Sequence, residues 1–147
     1  MLKPKLLTIS FLAFIGFLTL LACSTEPREI EYNQDQCDEC KMMISDPRFG
    51  AELVTSKGKV YKYDAAECMI RAVKKNKDTD YVHILVTDFT QPKRLIDAQS
   101  ASFLIDENRP SPMGANLSAY STKSDIDQQV ISDASQILTW EQTINHF

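Results

Sequence analysis

Hydrophobic spacing along this chain changes character several times, and each change marks an element. A short basic start with Lys3 and Lys5 precedes an apolar run from Leu6 to Ala22. That run is short for a membrane span and has the layout of an export signal. Residues 24–36 are polar, contain Pro27 and show no apolar period, so they read as a flexible tether. Folded patterning begins at Cys37. Residues 51–55 and 60–63 alternate as two strands, joined across a turn in which Gly58 takes the positive φ. Asp64 then stands where a helix N-cap belongs, with Glu67 three residues on to complete a capping box. The helix that follows carries Ala65, Cys68, Met69, Ala72 and Val73 on one face. Arg71, Lys74 and Lys75 fall towards its C-terminal end, where positive charge is favoured. Residues 81–87 are β-branched and apolar enough for a largely buried strand.

The same order then repeats. Residues 101–105 predict a strand, 106–114 a loop with Pro110 and Pro112, and 115–120 the paired strand. Ser124 or Asp125 can cap a helix whose apolar positions are Ile126, Val130, Ile131 and Ala134. A short strand at 136–138 follows, and Thr139 with Gln142 caps a last helix that buries Trp140, Ile144 and Phe147. The pattern predicts an α+β protein of two small ββαβ units, about 37–90 and 91–147, behind a leader (1–22) and a tether (23–36).

Composition adds limits more than identity. Apolar content of 44% and charged content of 24% are those of a folded chain, which excludes wholesale disorder. The net charge of -4 lacks long runs of one sign and speaks against nucleic acid as a partner. The leader ends in Leu20-Leu21-Ala22-Cys23, which resembles the lipobox of bacterial lipoproteins. In that reading Cys23 becomes the lipidated N-terminus, and the body is held at a membrane by lipid alone. Ser24 after the lipid cysteine favours the periplasmic face of the outer membrane. Removing the leader takes Lys3 and Lys5 and no acid, so the net charge moves from -4 to -6.

Setting Cys23 aside leaves Cys37, Cys40 and Cys68, an odd number of thiols. The stretch Cys37-Asp38-Glu39-Cys40-Lys41-Met42-Met43-Ile44 concentrates two thiols and two thioethers, soft donors that favour Cu(I) over harder ions. In an extended segment Cys40 and Met42 project to one side and can share an ion, with Cys37 as a further donor. Met43, its neighbour, then points into the core. Met113, in Ser111-Pro112-Met113-Gly114, sits in a loop where no period calls for an apolar side chain. It is either a distant third sulfur or a plug for the core. Two other readings compete for the cysteine pair. Cys37 and Cys40 can form a thiol–disulfide redox couple, although a tether precedes them where such sites follow a strand and open a helix. They can also be half of a structural zinc site completed by Cys68 and His83. Against this, Cys68 lies on an apolar helix face, where a buried free cysteine is ordinary. His146 has no supporting context. No nucleophile–base set, Gly-rich phosphate loop or metal-hydrolase motif is present, so the reading is a binding protein and not an enzyme.

Several motifs together resemble the NosL family, the copper-chaperone lipoproteins of nitrous oxide reductase maturation. They are the lipobox, residues 37–44, Phe49-Gly50-Ala51-Glu52-Leu53, Tyr63-Asp64 before Cys68-Met69, Val86-Thr87-Asp88, Ile96-Asp97-Ala98 and Pro112-Met113-Gly114, in that order. Leu95 stands where relatives often have Trp. The resemblance implies two ββαβ units in a fold shared with part of organomercurial lyase. It implies Cu(I) as cargo, held by Cys40, Met42 and Met113, with Cys37 as an added thiol. Apo nitrous oxide reductase and its maturation transporter are the implied partners.

Overall fold

The computed structural model describes residues 24–129 and 132–147. The leader, Cys23, and the apolar positions Val130 and Ile131 therefore lie outside the described residues. The elements are β1 (Ala51–Thr55), β2 (Val60–Tyr63), α1 (Ala66–Lys75), β3 (Tyr81–Thr87), β4 (Leu95–Asp97), β5 (Ser102–Ile105), β6 (Leu117–Tyr120), α2 (Lys123–Asp127), β7 (Gln136–Leu138) and α3 (Trp140–His146). The class is α+β, and the ββαβ order occurs twice, as the patterning predicts. One sheet runs β2-β1-β3-β4 and the other β6-β5-β7, each antiparallel throughout. In both sheets the first strand of the repeat is flanked by the second and third, so the two halves share a topology as well as an order.

Gly58 has φ 75° at the β1–β2 turn, the left-handed conformation its position calls for. The short strand β4 is a departure. Three residues are too few to show a period, and β4 exists because Leu85, Val86 and Thr87 of β3 offer it a pairing edge. The sheets meet where Asp88 bridges Ala119 in parallel and the Phe89 amide donates to the Ala119 carbonyl at 2.8 Å.

Helix α1 packs on β1 and β2 and also on β6 of the other sheet. It is buried on more than the one predicted face, with Glu67 and Ile70 enclosed alongside Cys68, Met69 and Ala72. One core therefore serves both halves. It contains Ile44, Leu53, Met69 and Ile70 from the first and Phe103, Leu117 and Trp140 from the second. Each such side chain, taken out of water, contributes roughly 1.5–3 kcal/mol.

Three local expectations are corrected. The capping box at Asp64 and Glu67 does not form; the N-cap is Ala65 with no side-chain bond, because both acids turn inward. Helix α2 is shorter than the apolar pattern suggests and is capped by Thr122, with Asp125 closing the box, rather than by Ser124 or Asp125. Ile126 is buried, while Ala134 is exposed beyond the helix. Residues 28–36, read as tether, pack on the domain. Ile30 enters the core, the Arg28 amide donates to Glu52, and Lys62 Nζ bonds Asp35 and the Glu29 carbonyl, each at 2.6 Å. A single apolar residue among polar neighbours has no period to betray it.

Candidate metal centre

The cysteine stretch is an irregular hairpin. The Asn33 amide donates to the Ile44 carbonyl at 2.8 Å, and the Ile44 amide to Asp35 at 3.0 Å. Gln36 then bridges Met43, and the Cys37 amide donates to Met42 at 2.8 Å. Residues 38–41 form the loop, closed by the Lys41 amide on the Cys37 carbonyl at 3.0 Å, with Lys41 at φ 64°. A left-handed residue at the end of a four-residue loop lets the strands rejoin. It also breaks the extended geometry expected from Cys40 to Met42. The hairpin is hung on the free edge of β2, where the Asp38 amide donates to the Lys62 carbonyl and the Lys62 amide to the Asp38 carboxylate, each at 2.8 Å. Ile44, fully buried, anchors it in the core.

This arrangement sets Cys37 and Cys40 against Cys68 in the first turn of α1. The three sulfurs lie within 4.8 Å of one another. Cys37 and Cys68 are fully enclosed, whereas Cys40 is partly exposed, so the cluster opens to solvent at Cys40 alone. All three are free thiols.

Their protons are shared unevenly. A hydrogen bond from the Cys68 thiol, against the opposing effect of burial, lowers the pKa of Cys37 to about 5, with help from the backbone of Cys40, Asp64 and Glu39. Cys68 is pushed up, first because it serves Cys37 as donor and then by burial. Burial also raises Cys40, and the neighbouring Cys37 adds to this. At neutral pH the trio thus holds one thiolate stabilised by two thiols. Arg71, one turn along α1, donates from Nη2 to Cys68 Sγ at 3.1 Å. Three sulfurs with one solvent-facing side and a guanidinium behind them can hold a soft metal ion.

Of the residues singled out from sequence, the structure brings Cys37 and Cys40 together and adds Cys68, which its apolar helix face marked as core. The spacing that places a thiol in a core is the same spacing that places it beside two others. Met42 stands at the exposed side of the hairpin, 51% accessible. Met43 is 47% accessible and not core, because Ile44 takes the inward position. Met113 is half-buried against the main core. Its loop is tied to α1 through the Ser111 hydroxyl on Glu67, the residue before Cys68, and turns at Gly114 with φ 75°. His83 pairs opposite Val54 in the sheet and is not part of the thiol cluster. The pair Cys37/Cys40 sits in a hairpin loop, not at a helix N-terminus of the kind that redox couples use.

A family model for NosL matches residues 27–145 of this chain. The chain belongs to the NosL family. Its fold is similar to the crystal structure of the copper chaperone NosL from Shewanella denitrificans, with a TM-score of 0.66 over 81% of this chain and 96% of that one. Identity between the two is 18%, so that likeness concerns the fold. No curated protein matches the chain. The NosL match begins at residue 27, close to where the folded N-terminal segment joins the body.

Proposed function

We propose that this chain is a copper chaperone that takes up Cu(I) and delivers it for assembly of the metal centres of nitrous oxide reductase. The observation that carries the reading is the convergence of Cys37, Cys40 and Cys68 within 4.8 Å in a NosL-family chain. Thiolate and thioether donors favour soft ions, Cu(I) among them, and no hard carboxylate belongs to the cluster. Transfer uses the exposed side, where Cys40 and Met42 reach solvent, and Met113 is the further sulfur that the family resemblance implies. An incoming ligand of the recipient bonds to copper before a chaperone sulfur leaves, so no bare ion is released. In this reading a lipidated Cys23 anchors the chain at the periplasmic face of the outer membrane, and apo nitrous oxide reductase and its maturation transporter are its partners.

Anaerobic titration of the chain with Cu(I) against a chromophoric competitor tests the binding. One tight site is expected, weakened at least about 100-fold in Cys40→Ala. Incubating copper-loaded chain with metal-free nitrous oxide reductase tests delivery, and copper should appear in the reductase with wild type and not with Cys40→Ala. A chain that ignores Cu(I), or prefers zinc to it, overturns the reading.

A further inference from the structure

We propose that copper occupies two positions in this chain that share Cys40: an inner, storing position of Cys37, Cys40 and Cys68, and an outer, exchanging position of Cys40 and Met42. The inference rests on the chaperone reading and specifies where the cargo sits within it.

Geometry is the first argument. Three sulfurs each about 2.3 Å from one ion stand about 4 Å apart. The three cysteine sulfurs already lie within 4.8 Å, so an ion between them needs a contraction of less than one ångström. Two of these sulfurs, on Cys37 and Cys68, have 0% exposure. An ion among them is shielded from water on every side but that of Cys40. That position suits retention more than transfer.

The outer position has the opposite character. Met42 is 51% exposed and stands across the Lys41 turn from Cys40, so the swing of its flexible side chain, and not an extended backbone, brings the thioether to a shared ion, with Met43 beside it at 47%. These are two of the three large apolar side chains most exposed among the described residues. Cys40 is the member of the thiol trio that also reaches the surface, so it faces both positions.

Charge separates the two energetically. Cu(I) with three thiolates leaves two negative charges in a buried place, which is costly unless they are compensated. The Arg71 guanidinium, on Cys68 Sγ at 3.1 Å, supplies one positive charge, while Lys41 and Lys74 are engaged by the Asp38 and Ile144 carbonyls. Cu(I) with the Cys40 thiolate and the Met42 thioether is neutral and needs no such partner, which fits a place from which copper must leave. In passing outward, copper breaks its bonds to Cys37 and Cys68, keeps that to Cys40 and gains one to Met42. Of the two sulfurs it leaves, Cys68 takes up a proton from water, the reverse of its release on loading, and Cys37 is left as the thiolate it is before loading.

Equilibrium affinity and transfer rate then depend on different residues. Competition against a Cu(I) chelator should show Cys68→Ser weakened at least about 30-fold. Arg71→Met, on the exposed side of α1 where the fold is not at risk, should weaken about tenfold, with Arg71→Lys restoring most of it. Met42→Leu should keep its affinity within about threefold, yet give up copper to an excess of a fast acceptor chelator at least about tenfold more slowly in stopped flow. Copper-edge X-ray absorption should report three sulfur neighbours in wild type and in Met42→Leu, and fewer in Cys68→Ser. Wild-type affinity in both Cys68→Ser and Arg71→Met would remove the inner position. Loss of affinity in Met42→Leu as large as in Cys68→Ser would mean a single mixed site. A wild-type chain without Cu(I) affinity overturns the chaperone reading itself, an outcome distinct from either.

Discussion

Glu52 is a charge-bearing side chain in the middle of the first sheet, fully buried between Lys62 and Leu85 on the flanking strands. Its Oε1 accepts the Arg28 amide at 2.9 Å, while Oε2 has no hydrogen-bond partner among the described residues. Burial raises its pKa above 4.5, against the opposing Arg28 bond and the Lys62 charge. A carboxyl whose folded pKa lies above its unfolded one favours folding when protonated. Its contribution is full below pH about 4.5 and is lost as the pH rises towards the folded value. Wild type should therefore lose stability relative to Glu52→Gln as the pH goes from about 4 to 8. Thermal unfolding of both proteins across that range checks it, and a difference that stays constant with pH would show that Glu52 titrates alike in the folded and unfolded chain. Nothing in the alternation of β1 announces this residue as buried. Position 52 faces the side that a half-exposed strand would give to water, and only the N-terminal segment folding over it closes that side.

Three stretches carry the same cap-x-x-acid-or-amide pattern, and two become capping boxes, Thr122 with Asp125 and Thr139 with Gln142. Thr139 accepts the Gln142 amide, and the Gln142 side chain accepts the Thr139 amide at 2.9 Å, starting α3 where the sequence places it. The box sits on an exposed turn where no other group competes for its atoms. Asp64 and Glu67 have competitors: the backbone of Asp64 serves Cys37, and Glu67 accepts the Ser111 hydroxyl. Local chemistry is legible where it is left alone. Thr139→Ala should cost about 1 kcal/mol, read as a lower denaturant midpoint with unchanged slope. Because Trp140 in α3 stacks on Phe103 at 5.8 Å, loosening this helix is felt in the common core. No change in midpoint would mean that packing of Trp140 alone holds the helix.

At the scale of the molecule, the cysteine hairpin and the segment before it form a strap laid over the first sheet and its β2 edge, with Lys62 as its principal fastening. Lys62 reaches Asp35 and the Glu29 carbonyl through its side chain and pairs with Asp38 through its backbone. Lys62→Met keeps the backbone pairing and removes the rest, for a loss of about 1 kcal/mol. Hydrogen exchange should quicken in the amides of Asn33, Cys37 and Lys41 while those of β5–β7 stay slow. Equal quickening everywhere would show that the strap opens only when the whole protein does. A sheet edge otherwise left open is also covered by this strap, as edges in soluble proteins generally are.

What the sequence by itself determined follows from interactions within a few residues of one another: the strands β1, β2, β3 and β7, the Gly58 turn, the Thr139 box and the doubled ββαβ order. The soft-donor stretch and its resemblance to NosL were legible for the same reason, since chemistry and spacing along the chain are local. Tertiary structure decided what depends on surfaces meeting. Ile30 and Glu52 are buried because the N-terminal segment closes over β1. Met43 is exposed because Ile44 fills the core position first. Cys68 stands with Cys37 and Cys40 because α1, wedged between two sheets, turns its first-turn thiol towards the hairpin at the sheet edge. A helical period tells that a residue faces inward. What it meets there depends on contacts between segments far apart in sequence.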